Sequence, residues 1–395
     1  KRQAMATSVA IGGDQTDTGN TAALTALVGE TITLSEVLGG VGDYTSDFSC
    51  SSVNAPVYTA GATSATLLID ENDSAITCTY SNTINTAQLT LQKAWVGGVA
   101  DDTAALTVRA MNGVQMATST ATGGDQTDST NTAVLTALVG ETVTLDDVLG
   151  GLGDYTTNFA CAGAANTPDY TAGDRSAALV ISAADTAITC TYTNTRIEPV
   201  INLAKTVNGP AILEADGTYT AVYTITASNT GGYGTYDVVD TFSPGTGITL
   251  VTDASYPAFV YSGGETQTGT LATPPLANGG TWVTLEGLAD GASERWTVTA
   301  SFTVDPAMVD PVDSQCDPAT PVINTGFYNA VAGSSTDNDP TDNDTCTDLP
   351  GAGINLAKTV NGPVTLEDDG TYTVVYTITA TNTGGPGVYD LVDTF

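Results

Sequence analysis

Apolar and polar residues alternate with a period of two along nearly the whole chain. The runs at residues 218–228 (TYTAVYTITAS) and 296–304 (WTVTASFTV) are examples, rich in Thr, Val, Tyr and Ile. Such alternation predicts strands with one buried face, and the Gly, Pro, Asn and Asp clusters between runs predict turns. Only residues 34–38 and 145–149 read as a single helical turn. Many short strands separated by turns predict an all-β chain of packed sandwiches.

The runs are organised by repetition. GGDQTDTGNTAALTALVGETITLSEVLGGVGDYTSDFSC, from Gly12, returns from Gly123 as GGDQTDSTNTAVLTALVGETVTLDDVLGGLGDYTTNFAC. INLAKTVNGPAILEADGTYTAVYTITASNTGG, from Ile201, returns from Ile354 as INLAKTVNGPVTLEDDGTYTVVYTITATNTGG. Two module types, each present twice, place boundaries at residues 1–86, 87–198, 199–350 and 351–395. Lys1 aligns with Asn112, inside the second module, and Phe395 aligns with Phe242. The chain therefore reads as a window on a longer protein.

Charge narrows the function. The 395 residues hold 9 Lys+Arg against 44 Asp+Glu and no histidine, for a formal net charge of −35. A chain this acidic repels nucleic-acid phosphates and anionic membrane surfaces. Without histidine there is no His-dependent triad and no imidazole ligand for zinc. No apolar run approaches the length of a membrane span. No phosphate loop or nucleophile elbow is present, so the chain does not read as an enzyme.

The six cysteines fall two in each of the first three modules, with spacings of 28, 29 and 30 residues. Six cysteines allow fifteen pairings, but the repeat selects Cys50–Cys78, Cys161–Cys190 and Cys316–Cys346. Such bonds imply an oxidising compartment.

Three of the four lysines, Lys93, Lys205 and Lys358, occupy one place: the first strand of a module. Strand parity puts Lys93 with Leu89, Leu91 and Trp95, Lys205 with Ile201 and Leu203, and Lys358 with Ile354 and Leu356, so each points inward. Burying an ammonium costs several kcal/mol unless it is paired or neutral, and a neutral lysine is a nucleophile. The same parity test places Glu141 inward with Val139 and Val143, and Asn194 inward with Ile188, Cys190 and Tyr192. Lysine, acid and asparagine are the parts of an intramolecular isopeptide bond. The amine attacks the Asn carbonyl, the acid shuttles protons, and ammonia leaves. A buried ion pair, Lys93 with Glu141 and Lys205 with Asp240, is the alternative that needs no covalent step.

GETVTLDDVL, the closing CTYTNT and the strand LTLQKAW resemble the collagen-adhesin B-type, or prealbumin-like, domains of bacterial surface proteins and pili. By that resemblance Lys93, Glu141 and Asn194 match the family's lysine, acid and asparagine, and Glu30 and Asn82 are a partial set in the first module. INLAKTV, YTITASNTGG, VVDTF and NTGFYNAVAG resemble the Ig-like conserved-repeat domain of bacterial and archaeal surface proteins. There the resemblance implies Lys205, Asp240 and Asn329, with Asn324 as a second choice of wrong parity, and a partial set Lys358 and Asp393. The expected fold is therefore a linear array of tandem Ig-like and prealbumin-like β-sandwiches.

The run TDNDPTDNDT from Thr336 offers Asp337, Asp339, Asp342 and Asp344 as hard oxygen ligands for calcium, or as a solvated loop before the next module. Trp95 and Trp296 read as core, and Trp282 is ambiguous. The function expected is a stiff extracellular, cell-surface stalk or filament. Its partners are neighbouring modules of the same chain and lateral copies. The alternative is a ligand-binding, calcium-dependent adhesin module, with residues 243–294 as the place for a site.

Overall fold

In a computed structural model the described residues are 3–10, 15–310, 312–333 and 337–395. Lys1 and Thr336 lie outside them. The chain divides into two compact units, residues 1–151 with 157–195, and residues 152–156 with 196–395. The described residues form strands and turns, with no helix.

The first unit opens with β1 (Thr31–Ser35), β2 (Tyr44–Cys50), β3 (Ser64–Leu68) and β4 (Cys78–Ile84). They pair as two ribbons, β1 with β3 and β2 with β4. The second module comprises β5 (Thr86–Gly98), β6 (Thr103–Ala110), β7 (Gly113–Thr120), β8 (Gly124–Leu138), β9 (Thr142–Gly150), β10 (Tyr155–Ala162), β11 (Ser176–Val180) and β12 (Ala187–Arg196). Two four-stranded sheets result, ordered β10-β12-β5-β8 and β11-β9-β6-β7.

The pairing of β12 with β5 brings the two ends of the module together. It is parallel, with Cys190 opposite Leu91, Tyr192 opposite Lys93 and Asn194 opposite Trp95. A module's first and last strands therefore run side by side. Inward positions of both, including Leu89, Leu91, Ile188, Cys190 and Tyr192, form one buried core with Val143 and Leu145 of β9, and Trp95 is buried as well. Each buried Leu, Ile or Val is worth roughly 1.5–3 kcal/mol.

Residues 145–149 form no helical turn. They lie in β9, whose Asp146 faces Thr107 of β6 in antiparallel register. Period-two burial and a sheet neighbour on each side override the local LDDVL pattern. Leu34 likewise belongs to β1, and the residues after Ser35 are irregular.

The first module is thinner. Phe48, Ala65 and Leu67 are buried, but Ile32 and Leu34 are only partly covered, whereas their repeat counterparts Val143 and Leu145 are fully buried. Among the described residues before β1 there is no strand to play the part of β5.

In the second unit the third module contains β13 (Ile201–Val207), β14 (Ile212–Leu213), β15 (Tyr219–Asn229), β16 (Gly234–Phe242), β17 (Ile248–Leu250), β18 (Ala258–Gly263), β19 (Thr270–Leu271), β20 (Thr281–Leu288), β21 (Ser293–Val304), β22 (Asn329–Ala332) and β23 (Asp344–Thr345). One sheet runs β13-β15-β21-β17, with β14 on β15 and β18 on β21; the other runs β19-β20-β16-β22-β23. Aromatic side chains fill the space between. Trp296 stacks on Phe259 at 4.6 Å, and Phe259 meets Trp282 edge-on at 5.5 Å. All three tryptophans, Trp282 included, are core residues. The fourth module is represented by β24 (Ile354–Val360), β25 (Thr365–Leu366), β26 (Tyr372–Thr373) and β27 (Tyr376–Asn382), paired as β24-β27 and β25-β26.

All three disulfides form as the repeat predicts: Cys50–Cys78, Cys161–Cys190 and Cys316–Cys346. The first joins directly opposed residues of β2 and β4. Each closes a loop of about 30 residues, which constrains the unfolded chain by about 3 kcal/mol. Replacing Cys161 and Cys190 together by Ala is expected to lower the stability of the second module by about that amount in a denaturant titration.

Candidate cross-linking sites in the module cores

Lys93 sits in the middle of β5 with its whole side chain buried. Its Nζ contacts Asp147 Oδ2 at 2.5 Å, and both side chains are fully shielded from solvent. Asn194 Nδ2 donates to the same carboxylate oxygen at 3.2 Å. The ring of Trp95 lies 4.9 Å and that of Tyr192 6.0 Å from the ammonium. Among the described residues, Asp147 Oδ1 and Asn194 Oδ1 have no hydrogen-bond partner.

The carboxylate brought to Lys93 and Asn194 is that of Asp147, and not that of Glu141. Glu141 is buried, as parity predicts, but it follows Gly140 in the turn into β9. Its carboxylate accepts from Leu138 N at 2.5 Å and Met111 N at 2.7 Å. Six residues of strand, about 20 Å, separate it from Asp147, which shares its parity. Depth along the strand decides between them. Tyr192, the register partner of Lys93, donates its hydroxyl to Leu145 O at 2.8 Å, which puts the end of β9 at the level of the amine.

The first module repeats the substitution. Asn82 Nδ2 donates to Glu36 Oε2 at 2.8 Å, and Ser46 Oγ donates to Glu36 Oε1 at 2.7 Å. Glu30, expected there, instead accepts from Leu27 N. Both repeats are acidic at both positions, so sequence similarity alone could not choose. The position of the acid relative to the lysine level could have.

In the third module the predicted trio comes together. Lys205 Nζ lies 2.5 Å from Asp240 Oδ2, both side chains fully buried. Asn329, facing Phe242 across β16 and β22, is also fully buried. Its amide lies near enough to Asp240 to favour the carboxylate, though outside the geometry of a formed hydrogen bond. Asn324 is in a left-handed turn and donates its backbone N–H to Ser243 O, away from the trio. In the fourth module Lys358 meets Asp393 at 2.5 Å, with about a third of each side chain exposed.

Burial sets the protonation states. It pulls the Lys93 ammonium down to about 8, against the opposing pull of Asp147. Burial likewise lowers Lys205 and raises Asp240, each partly offset by the other's charge. Both shifts favour a neutral amine beside a neutral acid.

The calcium ligands expected in the acidic run do not converge. Asp339 accepts from Thr341 N and Oγ1, Asp344 from Tyr328 Oη, Asp342 from Asn202 Nδ2, and Asp337 lies against Leu203 N. No group of three carboxylates, cysteines or histidines among the described residues could hold a metal ion. Residues 243–294, the expected place for a ligand site, include an internal acidic cluster. Glu286 accepts from Thr268 N and Gly269 N, and Glu294 accepts from Tyr236 Oη, which in turn accepts from Trp296 Nε1.

Residues 1–84 and 88–196 match the model of the prealbumin-like fold domain. The first two modules are prealbumin-like domains. The comparison with curated proteins returned no match. Among solved structures the chain resembles the major pilin subunit BcpA of Bacillus cereus at 12% identity, covering 76% of this chain and 86% of that one, with a TM-score of 0.22. The RrgB pilus protein of Streptococcus pneumoniae matches at 11% identity, 76% and 60% coverage and a TM-score of 0.24. The major pilin SpaD of Corynebacterium diphtheriae gives 14%, 77% and 84%, with a TM-score of 0.16. Likeness at these scores carries no argument about function.

The buried groups set two pH dependences. An Asn194→Ala variant of the prealbumin-like second module keeps Lys93 free. The unfolded chain then binds a proton, between pH 8 and the ordinary lysine value of 10.5, that the folded module does not. Its stability is expected to rise from pH 8 towards 10, by at most about 1.4 kcal/mol per unit, in chemical denaturation. Glu294 behaves oppositely. Burial and the neighbouring carboxylates of Glu286 and Glu265 push it up from 4.5 to about 7, against the Tyr236 hydrogen bond. Its contribution is full below pH 4.5 and is lost as pH rises through 7. Glu294→Gln is expected to remove that slope from a denaturant series measured between pH 5 and 8.

Proposed function

We propose that this chain is a structural segment of an extracellular, cell-surface stalk or filament whose modules lock themselves covalently. The observation that carries the reading is the buried contact of Lys93 Nζ and Asn194, on the paired strands β5 and β12, with Asp147 on β9 of the other sheet. The neutral amine attacks Asn194 Cγ, and Asp147, in contact with both Nζ and Nδ2, lies between the group that loses a proton and the group that gains one. The proton lost by the amine passes through the carboxylate to Nδ2. The Cγ–Nδ2 bond breaks, ammonia leaves and an Nζ–Cγ amide remains. Shielding from water and fixed geometry supply the effective molarity. Lys205, Asp240 and Asn329 carry out the same exchange in the third module. Each trio reacts once, so this is maturation rather than turnover.

The cross-link would tie β5 to β12, the first and last strands of one module. Tension applied at the two ends then passes through covalent bonds, and the strands between are shielded from it. Partners are neighbouring modules and lateral copies of the same chain. The acidic, Thr-rich surface keeps such an array soluble.

Intact mass of the recombinant chain after full reduction tests the reading. Loss of one ammonia for each complete trio is expected. Lys93→Ala and Asp147→Ala should each restore one ammonia, and Lys205→Ala the other, while Glu141→Gln should restore none. An unchanged parent mass would leave Lys93 and Lys205 as buried ion pairs.

A further inference from the structure

The two INLAKTV-type modules share a turn, Asn-Thr-Gly-Gly, that the cross-linking chemistry does not use. In the third module Asn229, buried at the end of β15, spends its whole amide on backbone. Its Oδ1 accepts from Val200 N and Gly231 N, both at 3.0 Å. Its Nδ2 donates to Gly232 O at 2.8 Å and Leu288 O at 3.0 Å. Thr230 N donates to Val200 O, and Gly232 N to Glu198 O. The fourth module repeats all of these contacts but the one to Leu288 at its own entry. Asn382 Oδ1 accepts from Gly353 N at 3.0 Å and Gly384 N at 3.1 Å, and Nδ2 donates to Gly385 O at 2.7 Å. Thr383 N donates to Gly353 O, and Gly385 N to Gly351 O.

The same contacts explain the glycines. A Cβ on Gly231, Gly232 or Gly234 would come under 3.0 Å from Glu198 O, Ile197 O or Pro199 Cβ. One on Gly384, Gly385 or Gly387 would meet Gly351 O, Pro350 O or Ala352 Cβ as closely. None of the six has a positive φ, so space and not backbone conformation excludes a side chain. In each module the incoming chain is threaded across a floor that only glycine provides.

We propose that Asn-Thr-Gly-Gly is a linker socket: it takes up the four-residue extended segment before each such module, 197–200 and 350–353, and closes the hinge at residues 349–353. At that junction no residue is left free. Leu349 is buried in the core of the third module and donates its N–H to Ser314 O at 2.9 Å. The next residue, Pro350, already lies on Gly385. Tyr219 Oη of the third module donates to Gly384 O at 3.3 Å. The ligand is a backbone, read through two carbonyls and one N–H, so its side chains can differ between copies. They do: Ile-Glu-Pro-Val in one and Pro-Gly-Ala-Gly in the other. The socket is built from hydrogen bonds and close approach and stands whether or not the isopeptides form.

Amide hydrogen exchange of the whole chain, read by NMR at Val200, Gly232, Gly353 and Gly385, is the test. Protection like that of the β15 amides is expected. In Asn382→Ala, exchange at Gly353 and Gly385 should speed up at least tenfold, corresponding to about 1.4 kcal/mol. Val200 and Gly232 should stay unchanged. Gly385→Val should act in the same way. Exchange of these amides in the parent protein at the rate of exposed loops would overturn the proposal, and that measurement decides the case even where a variant loses its module's fold. Unchanged exchange at Gly353 in both folded variants would overturn it equally.

Discussion

The interaction on which the rest of this structure depends is a single ammonium taken out of water at the centre of the second and third modules. Lys93 and Lys205 have one carboxylate each for company and are otherwise surrounded by aromatic rings. An isolated charge in such a place is costly, and pairing repays the cost only in part. That deficit is visible in the lowered affinity of both lysines for their protons. A fold that needed only stability would gain by filling the site with hydrocarbon. Retaining lysine, acid and amide together makes chemical sense if the trio is consumed by forming a neutral bond.

Topology gives that bond its value. The prealbumin-like module brings its first and last strands together in parallel, which is the arrangement in which one cross-link spans nearly the whole domain. The third module reaches the same end through a different sheet order. Its lysine is on β13, in one sheet, and its asparagine is on β22, in the other. A bond there would staple the two sheets together across the core. The disulfides act separately, within the first three modules, and the socket at residues 350–353 acts between the third and fourth.

Much of this was legible in the residues. Strand parity placed Lys93, Lys205, Asn194, Asp240 and Asn329 inward, and all are buried. The repeat offset chose the cysteine pairs. Parity alone could not choose between Glu141 and Asp147, because both lie on the same face of one run. The choice depends on where along β9 the lysine of β5 arrives, a tertiary register with no local signal. Lys358 shows the opposite limit. Its strand has the parity of a core strand, but burial needs a second layer, and the described residues of this module pair only as two-stranded ribbons, so the lysine stays partly exposed. The helical reading of residues 145–149 failed because sheet pairing on both sides outweighs a weak local preference.

The most direct measurement is a tryptic digest of the reduced protein. Trypsin cannot cut after a lysine whose amine is acylated. The account predicts that residues 3–109 remain uncut at Lys93 and are joined to residues 176–196, which carry Asn194, in one branched peptide lighter than the sum of its parts by one ammonia. Recovery of separate linear peptides ending at Lys93 and containing an intact Asn194 would contradict it.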